Sequence, residues 1–409
     1  MTNNFFDDFN WDKIKVGQLG KFYGGATPPT TDENNFGGKI VWLVPSDLTK
    51  LSESNYIVYD SENKLTEKGY KSCSAKLLPI NSLCISSRAT IGEVVIAGVE
   101  LCTNQGFINV VTNDQVDPLY LTYWIKNNKI YIERYAAGTT FLEIGRSTFK
   151  KLDIFLPKSI IEQQSIAGVI SKVDKAIESV ENTIISAEKL KKSLMQNLLT
   201  GKLKTDGTWR KEEEFFHDIK YGKYPKDWSF SHFIDFAVLQ RGKDLTDNDV
   251  INGDYPVVKS NGIQIYHNSF FVKPPGVVTG RSGTIGKAFY LKEPFWAHNT
   301  TLYIKDFKGN NPKFIYYLIL MMDFRKYYAG TTVPTLNRND IHRLKVAIPK
   351  SPNEQAKIVD ILDSLEEVLI NKEDKKNSLK KLKKSLMQNL LTGKKRIDIE
   401  KINQLLKEA

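Results

Sequence analysis

Residues Lys189–Lys202 read KLKKSLMQNLLTGK, and Lys381–Lys394 read KLKKSLMQNLLTGK again. Fourteen consecutive identities at an offset of 192 residues mark an internal duplication. The offset holds upstream. Pro157, Glu162 and Gln163 match Pro349, Glu354 and Gln355, and Ala137-Gly-Thr-Thr140 matches Ala329-Gly-Thr-Thr332. Arg146 and Leu152 match Arg338 and Leu344. Nearer the start of each copy the offset drifts, as loop insertions make it do: Thr90-Ile91-Gly92 matches Thr284-Ile285-Gly286, while Trp11 and Gly25 match Trp228 and Gly242. A period of about 190 residues is too long for a solenoid, so a domain plus a helix is used twice.

The repeated segment closes a run of apolar residues spaced four and three apart. In the first copy these are Ile166, Ile170, Val173, Ile177, Val180 and Ile184, then, after a register break near Ala187, Leu190, Leu194 and Leu198. The second copy has Ile358, Leu362, Leu365 and Leu369, an interruption at Lys372 and Lys376, then Leu379, Leu382, Leu386 and Leu390. This is a heptad seam. Pro157 and Pro349 precede each run, and Gly201 and Gly393 follow where a C-terminal cap belongs. A helix of about 37 residues spans about 55 Å, and so narrow a seam needs a partner helix, the nearest being the other copy.

The rest of each copy is Val-, Ile-, Phe-, Tyr- and Thr-rich in short runs broken by Gly, Asn, Asp and Pro, such as Lys39-Ile-Val-Trp-Leu-Val and Gly276-Val-Val-Thr279. These read as strands, with one helical stretch each at Tyr120–Tyr135 and Pro312–Tyr328. The expected class is α+β: two similar mixed α/β domains separated by two long helices that pack on one another. The boundaries follow as domain 1–156, helical region 157–204, a charged connector 205–227, domain 228–348 and helical region 349–409.

The net charge of +11 favours a polyanionic partner, above all nucleic acid. No apolar run approaches the roughly 18 residues of a membrane span. The N-terminus lacks the pattern of a signal peptide, so a cytoplasmic location is expected. Cys73, Cys84 and Cys102 form no CxxC pair, and the five histidines are scattered, so no metal site is expected. GxGxxG, HExxH and the Pro-Pro-Tyr tetrapeptides of amino-methyltransferases are absent. Gly280-Arg-Ser-Gly-Thr-Ile-Gly-Lys287 has the wrong spacing for a phosphate loop and carries Ala288 where a magnesium-binding hydroxyl belongs. No catalytic residue and no cofactor of the chain's own is expected. A nuclease or methyltransferase without standard motifs, and a scaffold for proteins only, are the competing classes. The missing constellations oppose the first, and the basic charge opposes the second.

What repeats is suited to gripping. Ser87-Arg88-Ala-Thr-Ile-Gly92 and Gly280-Arg281-Ser-Gly-Thr-Ile-Gly286 each set an arginine in a turn of small residues. Such a turn serves either a tight hairpin or a phosphate or guanine contact. Ala137-Gly-Thr-Thr140 and Ala329-Gly-Thr-Thr332 offer hydroxyls and amides, followed by Arg146 and Arg338; a structural turn and a phosphate contact are both open there.

The order of motifs resembles that of the specificity subunit of type I restriction-modification systems over essentially the whole chain. Each copy has a Trp, a Gly-containing loop, an Arg turn ending Thr-Ile-Gly, then Asn104-Gln105-Gly106-Phe107 or His298-Asn299-Thr300. Gly-Thr-Thr, Glu-Gln and a helix ending Leu-Leu-Thr-Gly-Lys follow. Tyr221-Gly-Lys-Tyr-Pro-Lys-Asp-Trp228 resembles the entry to the family's second domain. The resemblance implies a non-catalytic subunit with two target-recognition domains, each reading half of a split double-stranded DNA site. It also implies that the two helices pack as an antiparallel coiled coil, with pseudo-two-fold symmetry, into a spacer that docks two modification (methyltransferase) subunits, and two restriction/translocase subunits. These partners would bring S-adenosylmethionine, and ATP with magnesium. The candidate DNA contacts are Arg88, Thr90, Asn104, Gln105, Thr139 and Arg146 in the first copy. In the second they are Lys259, Asn261, Arg281, Thr284, His298, Asn299, Thr331 and Arg338. The second copy has Asp244-Leu-Thr-Asp in place of the Thr27-Pro28-Pro29 loop, so the two half-sites are expected to differ.

Overall fold

The computed structural model describes residues 11–51, 54–88, 90–138, 142–322, 324, 327–329 and 335–396. The chain forms two compact units. One holds residues 1–183 together with 373–409, and the other holds 184–372.

In the first unit Trp11–Lys15 pairs antiparallel with Asp153–Pro157, Trp11 facing Pro157. Between these strands lies a five-stranded sheet in the order Gly20–Gly24, Phe107–Thr112, Leu83–Ser86, Val94–Ala97, Ile57–Val58. A three-stranded sheet, Lys64–Leu65, Phe36–Leu43, Leu101–Thr103, accompanies it, and its last two strands run parallel. Leu83–Ser86 and Val94–Ala97 are buried on both faces, which is why they read as unbroken apolar runs. Leu83, Ile85 and Val94 pack with Tyr120, Tyr123 and Trp124 of the helix Pro118–Asn127. Cys84, Val95 and Ala97 pack the other way, with Val41, Leu43 and Leu101.

The second unit repeats the plan where the sequences scarcely match. Trp228–His232 pairs with Lys345–Pro349, Trp228 facing Pro349. The main sheet runs Val238–Arg241, Thr301–Asp306, Gly276–Gly280, Ala288–Leu291. The smaller one runs Gly262–His267, Tyr255–Lys259, Trp296–Ala297, again with the last two parallel. The helical stretches are shorter than the sequence predicts. Pro118–Asn127 ends before a separate short helix Lys129–Glu133, and Pro312–Met321 stops at Met321. The charged connector is itself folded. Phe215–Asp218 and Gly222–Pro225 form a hairpin, and Tyr224 stacks on Phe230 at 4.0 Å. Aromatic residues placed among the charges supply the apolar surface that a plain linker lacks.

The long helices are Ile160–Leu199 and Pro352–Leu390, both uninterrupted. Ile166, Ile170, Ile177, Val180 and Ile184 are buried as the seam requires. Leu190 and Leu382, expected in that seam, stand 50% and 47% exposed. The stripe keeps its spacing through Ala187 and Lys191 to Leu194 and Leu198, so no register break occurs and Leu190 lies about 100° off the stripe. The interrupting Lys372 and Lys376 are likewise stripe positions, half-buried. Within the first unit the helical segments run antiparallel, Lys380 meeting Glu181 at 3.8 Å and Lys383 meeting Asp174 at 2.5 Å. Within the second, Lys191 pairs with Glu366, while Leu198 and Leu199 pack with Ile358 and Val359. Each unit therefore holds the start of one helix and the end of the other. Gly201 and Gly393 take φ of +66° and +71°, which lets the amides of Leu203 and Lys395 reach back to Asn197 and Asn389.

Candidate nucleic-acid interface

The most repeated residues are scaffold. Trp11 donates from Nε1 to Glu162 at 3.4 Å, and Arg396 donates to the same carboxylate at 2.9 Å. Trp228 and Arg210 hold Glu354 the same way, at 3.1 and 3.4 Å. Gln163 accepts from the Asp117 amide and donates to the Pro157 carbonyl. Gln355 does so with Asn311 and Pro349. Asp117 and Asn311 are the N-caps of Pro118–Asn127 and Pro312–Met321. The Trp and Glu-Gln motifs thus lock each β domain to its long helix. The loops that follow the edge strands lie at the opposite end of the sheets.

At that end the loop after the edge strand crosses the chain leading into the strand beside it. A Cβ on Gly25 would lie 1.9 Å from the Asn104 carbonyl oxygen, and one on Gly242 2.2 Å from that of His298, so both crossings demand glycine. The crossing sets Thr27 against Gln105 in the first unit, their side chains hydrogen-bonded. In the second unit it sets Asp244 against Asn299 at 2.6 Å. Asn104 turns inward, accepting from the Gly106 amide at 2.9 Å, whereas Gln105 is exposed. His298 shares Nδ1 with the Thr300 hydroxyl at 3.0 Å. Its pKa is lowered by burial and by the neighbouring Lys259, so the ring is held neutral. Lys259 ends its strand half-buried, and Asn261 is exposed in the following turn.

The Arg turns are hairpins between strands Leu83–Ser86 and Val94–Ala97, and between Gly276–Gly280 and Ala288–Leu291. A strand follows Gly280–Lys287, not the helix a phosphate loop requires. Arg88 and Arg281 occupy the same turn but not the same position. The Ile144 amide binds the Ser87 carbonyl, and the Leu336 amide binds that of Arg281. Ser87 donates to Gly106 as Arg281 donates to Thr300. Arg281 therefore corresponds to Ser87, and Arg88 to Ser282. Arg88 is paired within the unit, its Nε meeting Glu143 at 3.0 Å. Arg281 makes no ion pair among the described residues. Thr90 and Thr284 close the turns. Ser86 Oγ donates to the Thr90 carbonyl, and the Thr284 carbonyl lies against Gly280.

The two Gly-Thr-Thr motifs follow Ala137, bridged to Glu143, and Ala329, bridged to Thr335. Thr139 and Thr331 themselves lie outside the described residues. Arg146 and Arg338 open short helices beside the edge strand. Arg338 donates to Gln240, and Arg146 lies by Gly24. Reading by motif missed Thr27 as a partner of Gln105, Glu143 as a partner of Arg88, and Arg241, because none belongs to a repeated string. Among the described residues no cluster of His, Cys, Asp or Glu could hold a metal, and no helix is long and apolar enough to cross a membrane. Burial pushes the Cys84 thiol far up and that of Cys102 up to about 12, so both are packing residues.

The family model for the type I restriction modification DNA specificity domain matches residues 9–189 and 225–381. The Type I restriction enzyme MjaIX specificity subunit of Methanocaldococcus jannaschii is 30% identical, over 95% of this chain and 94% of that one. The MjaVIII specificity subunit of the same organism is 22% identical over 95% and 93%. The crystal structure of a type-I restriction-modification system S subunit from M. genitalium shares the fold, with a TM-score of 0.61 at 17% identity over 95% of this chain and 97% of that one. The chain therefore belongs to the type I restriction-modification DNA specificity family, as a non-catalytic subunit that recognises a DNA target and directs methyltransferase and restriction subunits to it.

Proposed function

We propose that the chain reads a two-part DNA target, each β domain reading one half through its loop-bearing end, and that the two half-sites differ in sequence. The recognition domains are residues 1–156 and 228–348. The observation that carries this is substitution at equivalent places. Thr27 with Gln105 in one unit stands where Asp244 with Asn299 stands in the other, within the same crossing of loops. A hydroxyl and an amide offer a groove edge different donors and acceptors from a carboxylate and an amide. Arg88, Thr90, Asn104, Gln105, Thr139 and Arg146 serve the first half-site. Lys259, Asn261, Arg281, Thr284, His298, Asn299, Thr331 and Arg338 serve the second. Mapping methylated adenines in cells with and without this protein gives the target. Repeating the map with Thr27→Ala/Gln105→Ala is expected to relax one half only, and an unchanged map would remove this reading.

The partners are two modification subunits, supplying S-adenosylmethionine chemistry, and two restriction subunits, supplying ATP and magnesium chemistry, in the cytoplasm. The number two rests on the outward face of the repeated helix segment. Lys189, Leu190 and Lys192 are exposed, as are the identical Lys381, Leu382 and Lys384. Packing inside a unit cannot account for identity at exposed positions. A common partner surface can. The mass of the complex with modification subunits is expected to fit two copies, and Leu190→Asp is expected to reduce it to one.

A further inference from the structure

We infer that the second unit carries a two-guanidinium clamp, Arg241 with Arg281, for a single DNA phosphate, and that the first unit has no counterpart. The inference rests on the reading of the loop-bearing ends as DNA-facing.

The sheet register brings the two arginines together. Arg241 ends its strand opposite Leu302, and Leu302 faces Thr279 on the other side. Arg281 lies two residues beyond Thr279 and so leaves the chain on the same side. Two strand spacings separate the two chains by about 10 Å, a gap that two arginine side chains can close around one group. Arg241 is exposed and Arg281 is half-buried. Burial, and then the charge of Arg241, lower the pKa of Arg281, as expected for like charges in proximity. Among the described residues no carboxylate pairs with either guanidinium. Asp244, in the loop just after Arg241, is engaged by Asn299 at 2.6 Å.

Two facing cations without a counter-charge repel each other, and a half-buried one is poorly screened. An anion relieves this. A guanine edge is neutral and fits one guanidinium fork, whereas a phosphate carries the missing charge and has oxygens enough for two. In the first unit the corresponding residues are Gly24 and Ser87, both uncharged, and the arginine of that turn, Arg88, is already paired with Glu143. The half-sites therefore differ in kind. The second unit sets two guanidiniums without a counter-charge at this place, and the first sets only Arg146 beside Gly24.

The test uses the full chain with its modification subunits on a duplex carrying the mapped target. Arg241→Gln and Arg281→Gln are each expected to weaken binding about tenfold at low salt and to flatten the slope of log K against log salt by about one, with base preference unchanged. The double variant should lose little more than either single one, because the phosphate is shared. In the wild-type complex, neutral methylphosphonates scanned across the second half-site should reproduce the loss at one position, where the double variant is insensitive. That measurement needs no arginine variant to fold. An unchanged slope, a loss confined to one base pair, or no sensitive phosphate would overturn the clamp. If the clamp alone is wrong, the Thr27→Ala/Gln105→Ala map still shifts one half. If the domain reading is wrong, that map does not move.

Discussion

Single residues decide the loop crossings and one proton. Gly25→Ala or Gly242→Ala would place a methyl group about 2 Å from a backbone oxygen, which cannot rotate away. Each is expected to cost at least about 2 kcal/mol in chemical denaturation. A cost below half that would mean the crossing is looser than its geometry. His342 is the second case. The Leu239 amide donates to its Nε2 at 2.9 Å, so the ring is neutral, and burial, then Arg338, lower its pKa. A base whose folded pKa lies below its unfolded value takes up its proton in the unfolded chain first. Stability is therefore full above about pH 6.5 and is lost as pH falls from there towards the folded pKa. His298 shifts in the same direction. Denaturation between pH 7.5 and 5.5 should show that decline, and His342→Gln should remove part of it. An identical slope in the variant would contradict the assignment. The glycines were legible in sequence because a close approach leaves no other residue. The arginine pairing was not: matching by residue type put Arg281 against Arg88, whereas the Thr-Ile-Gly spacing that follows sets Arg88 against Ser282.

Identical elements need not do identical work. Lys191 and Lys383 hold the same place in the same fourteen-residue string, and each bonds an acidic residue on the antiparallel helix. Asp174, the partner of Lys383, has a side chain 3% exposed and also accepts from the Tyr123 hydroxyl at 2.6 Å, whereas Glu366 is 46% exposed. Removing Lys383 leaves a buried carboxylate without its counter-charge, held among the described residues by the Tyr123 hydroxyl. Lys383→Ala should therefore cost about 3 kcal/mol or more, and Lys191→Ala no more than about 1 kcal/mol. Equal losses in thermal or urea unfolding would mean that Asp174 is neutral in the folded state. The heptad pattern made the helices and their pairing legible, and the family resemblance supplied its antiparallel direction. It misplaced Leu190 and Leu382 because a search for apolar residues slides past a lysine in the stripe. The stripe tolerates lysine where a carboxylate faces it.

At the scale of the whole chain the duplication and the likeness of the β domains were legible from the matching strings, while their strand-by-strand equivalence was not. Their strands share order and direction, yet pair residues as unlike as Cys84 and Val278, since a buried sheet asks only for apolar volume. That tolerance makes the domains exchangeable. Replacing residues 1–156 with the first domain of another family member should change one half of the methylated target and leave the other fixed. The graft has two conditions. The incoming domain must supply the Trp11 indole for Glu162 and the Asp117 amide for Gln163, because these bonds cross the junction. A graft that carries Trp11→Phe keeps the domain but loses that bond. It is expected to unfold more readily while still reading the new half-site, which separates anchoring from recognition. Methylation mapping of both grafts decides the matter. If both halves of the target change together, the two domains do not read independently, and the assignment of one half-site to each is wrong.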